Sequence, residues 1–174
     1  LRPIVQCLSA NDMFEVQGIL NGTTNYIMTQ MVAKGVTFEE ALADAQRLGY
    51  AEKDPTADVE GHDACRKICI LASLCFGKHV YPDSVYTEGI TKITLDDVAY
   101  IGAFGGVIKL LGRAKRMDDG KIFAIVSPAI VMNGSQLASV NDVFNAILVR
   151  GDATGDVVFY GKGAGKEATA SAVV

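Results

Sequence analysis

The sequence predicts an α+β fold, a mostly antiparallel sheet covered on one face by helices. Three observations point there. Segments with helical periodicity fill the first half, and strand-like runs fill most of the second. Strands and helices do not alternate along the chain as a doubly wound parallel sheet would require. No G-x-G-x-x-G follows an N-terminal strand, so a dinucleotide-binding Rossmann unit is not expected in this chain.

The elements follow in order. Arg2 to Leu8 reads as the end of a helix, closed by the polar Ser9-Ala10-Asn11-Asp12. Phe14 to Leu20 alternates as a strand does, and Asn21-Gly22-Thr23-Thr24 breaks it. A helix over Asn25 to Lys34 stops at Gly35. Thr37 and Glu40 have capping-box spacing and start a helix that runs to Leu48. Tyr50 to Val59 is polar, contains Pro55 and is not expected to be regular throughout. Glu60 to Phe76 forms a long helix, and Ile68 to Ala72 within it is apolar on every side, which implies burial all round. Val85 to Ile93 reads as a strand and Asp96 to Phe104 as a short helix. Val107 to Arg116, Ile122 to Met132, Phe144 to Arg150 and Val157 to Tyr160 read as strands, the last two joined by a turn around Gly151 to Asp156. Thr169 to Val174 looks like the first turns of a further helix. A sheet of about five strands follows.

At 174 residues and 49% hydrophobic content, the chain can bury a substantial core as one domain. A net charge of −4 without a dense Lys/Arg cluster argues against a nucleic-acid partner. No apolar run is long enough for a membrane span, and Leu1-Arg2-Pro3 does not open a signal peptide. The chain begins without Met and is read as a piece of a longer protein. Of the 4 cysteines, Cys65, Cys69 and Cys75 crowd into one predicted helix, with His62 just before them. The C-x2-C pairs of structural zinc sites are absent, so buried thiols in a reduced cytoplasmic protein are expected and no metal site is assigned.

Three places carry chemistry. Tyr50 to Lys67 holds Glu52, Asp54, Asp58, Glu60 and Asp63 and ends on Lys67. A helix puts Asp63 and Lys67 on one face, and that face continues into Ile70, Leu71 and Leu74. A charged start and a buried continuation suggest a helix whose first turn faces a cleft. A lysine among carboxylates there can donate a proton, and a surface salt bridge explains the same spacing. The second place is the strand-to-helix turn at Asn21 to Tyr26, which reads as an anion-holding helix start or as a capping turn using Thr23 or Thr24. The third is Gly161 to Gly165, a glycine-rich run able to approach a planar ring or phosphate closely, or a plain loop.

Together the three blocks resemble the catalytic domain of the homoserine dehydrogenase family. Gly18-Ile19-Leu20-Asn21-Gly22-Thr23-Thr24-Asn25-Tyr26-Ile27 is similar to the signature at its start. Leu48-Gly49-Tyr50-Ala51-Glu52, Asp54-Pro55, Asp58, Gly61, Asp63 and Lys67 match its substrate-site motif. Tyr160-Gly161, Gly163-Ala164-Gly165 and Thr169 to Val173 match its end, in the family's order. The family usually has Pro where Ala168 stands.

The resemblance implies an NAD(P)-dependent enzyme that interconverts L-aspartate 4-semialdehyde and L-homoserine in threonine and methionine biosynthesis. It implies Lys67 as the acid–base group and Gly22, Thr23, Tyr50, Glu52, Asp58 and Asp63 as substrate-binding residues. Gly163, Ala164 and Gly165 would lie near the nicotinamide. It further implies a homodimer formed through the sheet of a domain spanning residues 1–174, with the nucleotide-binding domain and most ligands of a monovalent cation outside this chain. A non-catalytic dimerisation or regulatory module of the same fold is the alternative. Loss of Glu52, Asp63 or Lys67 would favour it, and all are present.

Overall fold

The structure is a computed structural model that describes residues 1–163 and 170. Its frame is one six-stranded sheet. β1 (Met13–Ile19), β3 (Gly106–Arg116), β4 (Ile122–Met132), β5 (Phe144–Gly151) and β6 (Gly155–Lys162) are antiparallel neighbours, and β2 (Tyr86–Thr87) adds a short parallel edge in the order β2-β4-β3-β1-β5-β6. The helices are α1 (Arg2–Cys7), α2 (Gly22–Lys34), α3 (Phe38–Arg47), α4 (Thr56–Val59), α5 (His62–Phe76) and α6 (Leu95–Ala103).

Alternation along the strands explains the layers. One face of the sheet presents Val16, Ile108, Leu110, Ala114, Val126 and Val149, all buried with Ile27, Met28 and Met31 of α2 and with Ile68 and Leu71 of α5. The opposite face presents Ile19, Leu111, Val131, Ala146 and Leu148, which bury a smaller cluster under Leu137, Ala138 and Val140. The helices therefore cover one face as expected, and the segment between β4 and β5 partly covers the other.

Several local expectations are corrected. The run Val85 to Ile93 keeps strand pairing only at Tyr86–Thr87. Beyond it the chain turns onto α4, where the Ile90 amide donates to the Val59 carbonyl at 2.8 Å. A Cβ on Gly89 would stand 2.1 Å from that same oxygen, so the close approach requires glycine there. The helix expected from Asn25 begins at Gly22, and its cap is the Asn21 side chain, not Thr23 or Thr24, because Asn21 accepts from the Thr24 amide at 2.9 Å. The polar segment before α5 contains the single helical turn of α4.

The all-round burial of Ile68 to Ala72 does not hold. Ile68, Cys69, Leu71 and Ala72 are buried, but Ile70 is 54% exposed and Leu74 lies at the surface. Ile70 stands two residues from Ile68, about 200° round the helix, and lines an open cleft with Leu20 and Ile147. Cys65, Cys69 and Cys75 are buried as expected, whereas Cys7 on the short α1 is exposed. The end of the chain predicted as helix, residue 170 apart, and the sites at Ala164 and Gly165 lie outside the described residues.

Candidate active site

Asn21 organises the site. It stands two residues beyond β1 in an extended conformation and caps α2. Its side-chain oxygen accepts from the Thr24 amide at 2.9 Å and the Thr24 hydroxyl at 3.1 Å. Its amide group donates to Asp58 Oδ1 at 2.7 Å and Asp63 Oδ2 at 2.9 Å. Both ends of this buried carboxamide are thus satisfied, which fixes its orientation and draws the carboxylates of α4 and α5 together. Asn21 belongs to the motif read from the sequence but was not among its site residues. Its signal was the strong preference of Asn for helix N-caps.

Lys67 stands one turn beyond Asp63. Its Nζ is 2.7 Å from Asp63 Oδ2, and it donates to the Leu20 carbonyl at 3.0 Å. An ammonium has three donors, so these two bonds leave one proton free. The side chain is 45% exposed and reaches a cleft of about 290 Å³ lined by Leu20, Lys67, Ile70, Leu71, Asn145 and Gly163, among others. The surface salt bridge and the cleft-facing lysine, alternatives in the sequence, are therefore one arrangement.

Among the described residues, Gly22, Thr23, Tyr50 and Glu52 make no hydrogen bond to Lys67 or Asp63. The Thr23 hydroxyl donates to the Tyr50 carbonyl at 2.6 Å, and the Tyr50 ring lies 5.0 Å from that of Tyr26. That pair holds the loop after α3 against the start of α2. The Tyr26 hydroxyl donates to Asp44; burial and this carboxylate push its pKa up to about 12. Gly22 is buried against Val143 and Asn145. Glu52 is exposed, and its carboxylate makes no hydrogen bond among the described residues; its backbone carbonyl accepts from Gln46 at 3.0 Å. The structure thus joins Asp63 to Lys67 directly, links Asp58 to them through the Asn21 amide and leaves Glu52 at the surface. Among the described residues, no group of three or more His, Cys, Asp or Glu side chains is arranged to hold a metal.

The homoserine dehydrogenase family profile matches residues 1–174, the whole chain. The chain belongs to the homoserine dehydrogenase family. A homoserine dehydrogenase of Mycobacterium tuberculosis is 50% identical over 177 residues, which cover 99% of this chain and 40% of that protein. A solved homoserine dehydrogenase of Thiobacillus denitrificans superimposes with a TM-score of 0.95 at 45% identity, over 99% of this chain and 40% of that one. A hyperthermophilic archaeal homoserine dehydrogenase, a mutant solved in complex with NADPH, superimposes with a TM-score of 0.80 at 28% identity, over 99% of this chain and 49% of that one. The chain spans about 40% of the length of the family's curated members that it matches.

Proposed function

We propose that residues 1–174 are the substrate-binding, catalytic and dimerisation domain of a cytoplasmic NAD(P)-dependent homoserine dehydrogenase, which interconverts L-aspartate 4-semialdehyde and L-homoserine. The observation that carries this reading is the Lys67 ammonium, held by Asp63 and the Leu20 carbonyl with one proton left for the cleft.

The cleft suits a nicotinamide. Leu20, Ile70, Leu71 and Ile147 offer apolar walls to a planar ring, and Gly163 presents no side chain. When bound, NAD(P)H supplies the hydride that adds to the aldehyde carbon. The chain's own residues do the rest. The free proton of Lys67 bonds the aldehyde oxygen and moves to it as negative charge builds there, giving the hydroxyl of homoserine. Asp63 keeps the ammonium in place, and solvent at the half-exposed side chain returns the proton. The exposed Glu52 carboxylate is free to take the substrate's α-ammonium group, with Asp58, Tyr50, Thr23 and Gly22 shaping that side.

The test is a coupled pair of assays. The full-length protein should oxidise NAD(P)H with aspartate semialdehyde, and residues 1–174 alone should not. A full-length protein without turnover in either direction would overturn the reading and favour a regulatory module.

A further inference from the structure

Asn145, on β5, was not singled out by the sequence and carries no role in the chemistry above. Its side chain lies beside the Lys67 cleft. Its Nδ2 donates to the Leu20 carbonyl at 3.3 Å, the same oxygen that accepts from Lys67 at 3.0 Å. One carbonyl, at the point where β1 hands over to α2, thus takes the lysine on one lone pair and the asparagine on the other.

The other end of this carboxamide is unusual. Asn145 Oδ1 is buried with no hydrogen-bond partner among the described residues. A buried acceptor left unpaired is unfavourable, so the orientation of the amide rests on the Leu20 bond and on packing. Glycine supplies that packing. A Cβ on Gly163 would stand 2.1 Å from Asn145 Nδ2, and one on Gly22 would stand 3.6 Å from Oδ1. The carboxamide is wedged between the end of β6 and the start of α2, and it occupies the space that a side chain at position 163 would need.

We propose that Asn145 is a positioning residue for Lys67: it holds the Leu20 carbonyl so that the free proton of the ammonium stays aimed into the cleft, and Gly163 must be glycine to leave it there. The proposal rests on Lys67 being the proton donor. It predicts that Asn145 acts on turnover and leaves substrate affinity nearly unchanged, because it touches neither the carboxylates nor Glu52. Gly163→Ala should push the carboxamide off the Leu20 carbonyl. In an Asn145→Ala background the clash vanishes, so Gly163→Ala should then leave the Lys67 environment no worse than Asn145→Ala alone.

Two measurements test this. The first is the rate at which Lys67 of the 174-residue chain is acylated by acetic anhydride at fixed pH, read by mass spectrometry of peptides. The second is steady-state kinetics of the full-length protein. Asn145→Ala and the isosteric Asn145→Asp, which as a carboxylate cannot donate to Leu20, should both raise the acylation rate severalfold. Both should lower kcat by about tenfold, the low end for a disturbed proton donor, with KM nearly constant. Gly163→Ala should raise acylation similarly, with no further increase in the double variant. An unchanged acylation rate in Asn145→Ala overturns the proposal, as does an unchanged kcat, or a kcat loss that only follows the folded fraction in a thermal melt. If Asn145→Ala does not fold, Asn145→Asp is judged by the same criteria. A wild-type protein without dehydrogenase turnover would sink the proposed function instead, and the positioning proposal with it, while a changed acylation rate would still report the geometry.

Discussion

Two of the three protons on Lys67 are committed to Asp63 and Leu20, and the consequences differ for function and for stability. In the full-length protein, Lys67→Ala should cut kcat by roughly a hundredfold, the usual size of a lost acid–base group, and change KM less. The melting temperature should barely move, because a half-exposed ion pair contributes under about 1 kcal/mol. Normal turnover in steady-state assays of this variant would remove Lys67 from the mechanism. Asn21 behaves in the opposite way. Asn21→Ala strips the cap from α2 and leaves Asp58 and Asp63 facing each other without their shared donor. A loss of roughly 1–3 kcal/mol in urea unfolding is expected, and a loss within error would show that the carboxylates find other partners.

At the scale of elements, α5 buries the thiols that the sequence led one to expect, and β3 buries a lysine that its sequence position does not advertise. Cys69 and Cys75 lie on the packed side of α5, and burial pushes both thiols up to about 11, with Cys65 adding to the effect at Cys69. Thiolate is the reactive form, so a colorimetric thiol reagent at pH 8 should titrate Cys7 rapidly and the α5 thiols only after denaturation. Fast reaction of two or more thiols in the native state would mean that α5 opens. Lys109 sits where β3 runs past the end of β1. It is buried and donates to Val140 O at 2.6 Å and to the side-chain oxygens of Asn25 and Asn141 at 3.1 Å each. Burial lowers its pKa to about 8, and Asp142 opposes the shift. The unfolded chain therefore binds more protons between pH 8 and the ordinary 10.5. Its contribution to stability should rise across that window, by at most about 3 kcal/mol. Lys109→Met should flatten this rise in denaturation curves taken at pH 8 and pH 10, while losing stability at both through two unpaired acceptors, the side-chain oxygens of Asn25 and Asn141; the Val140 carbonyl keeps its bond from Asn25 Nδ2 at 3.1 Å. Tyr26, with its raised pKa, begins to act in the opposite direction only above pH 10 and is common to both proteins.

For the whole molecule, the open part of the sheet is where assembly is expected. Lys115 and Phe123 are paired across β3 and β4, on the face that carries Leu111 and Val131 and not the helices. Phe123 is 52% exposed there, and Tyr160 of β6 on the same face is 59% exposed. We expect a homodimer through this face, with light scattering of the 174-residue chain at tens of micromolar giving twice the monomer mass. Phe123→Lys should return the monomer with its fold intact by circular dichroism. A monomeric wild-type chain would show that these side chains meet another partner or none.

What the sequence determined by itself is local. The Thr37–Glu40 capping box, the stop of α2 at Gly35 and the β5–β6 hairpin each depend on residues only a few positions apart, and each was legible. So was the i,i+4 pairing of Asp63 with Lys67, because a helix dictates that proximity wherever it forms. The three family motifs in their order made the candidate site legible by resemblance. Tertiary structure alone decided how those pieces meet. Asn21 reaches Asp58 and Asp63 across 37 and 42 positions, Lys109 reaches Asn25 across 84, and Asn145 reaches Leu20 across 125. Ile70 looks like core in an apolar run, yet it lines the open cleft beside Lys67. Periodicity and capping act through the backbone between near neighbours, whereas these contacts exist only once the sheet and helices have packed.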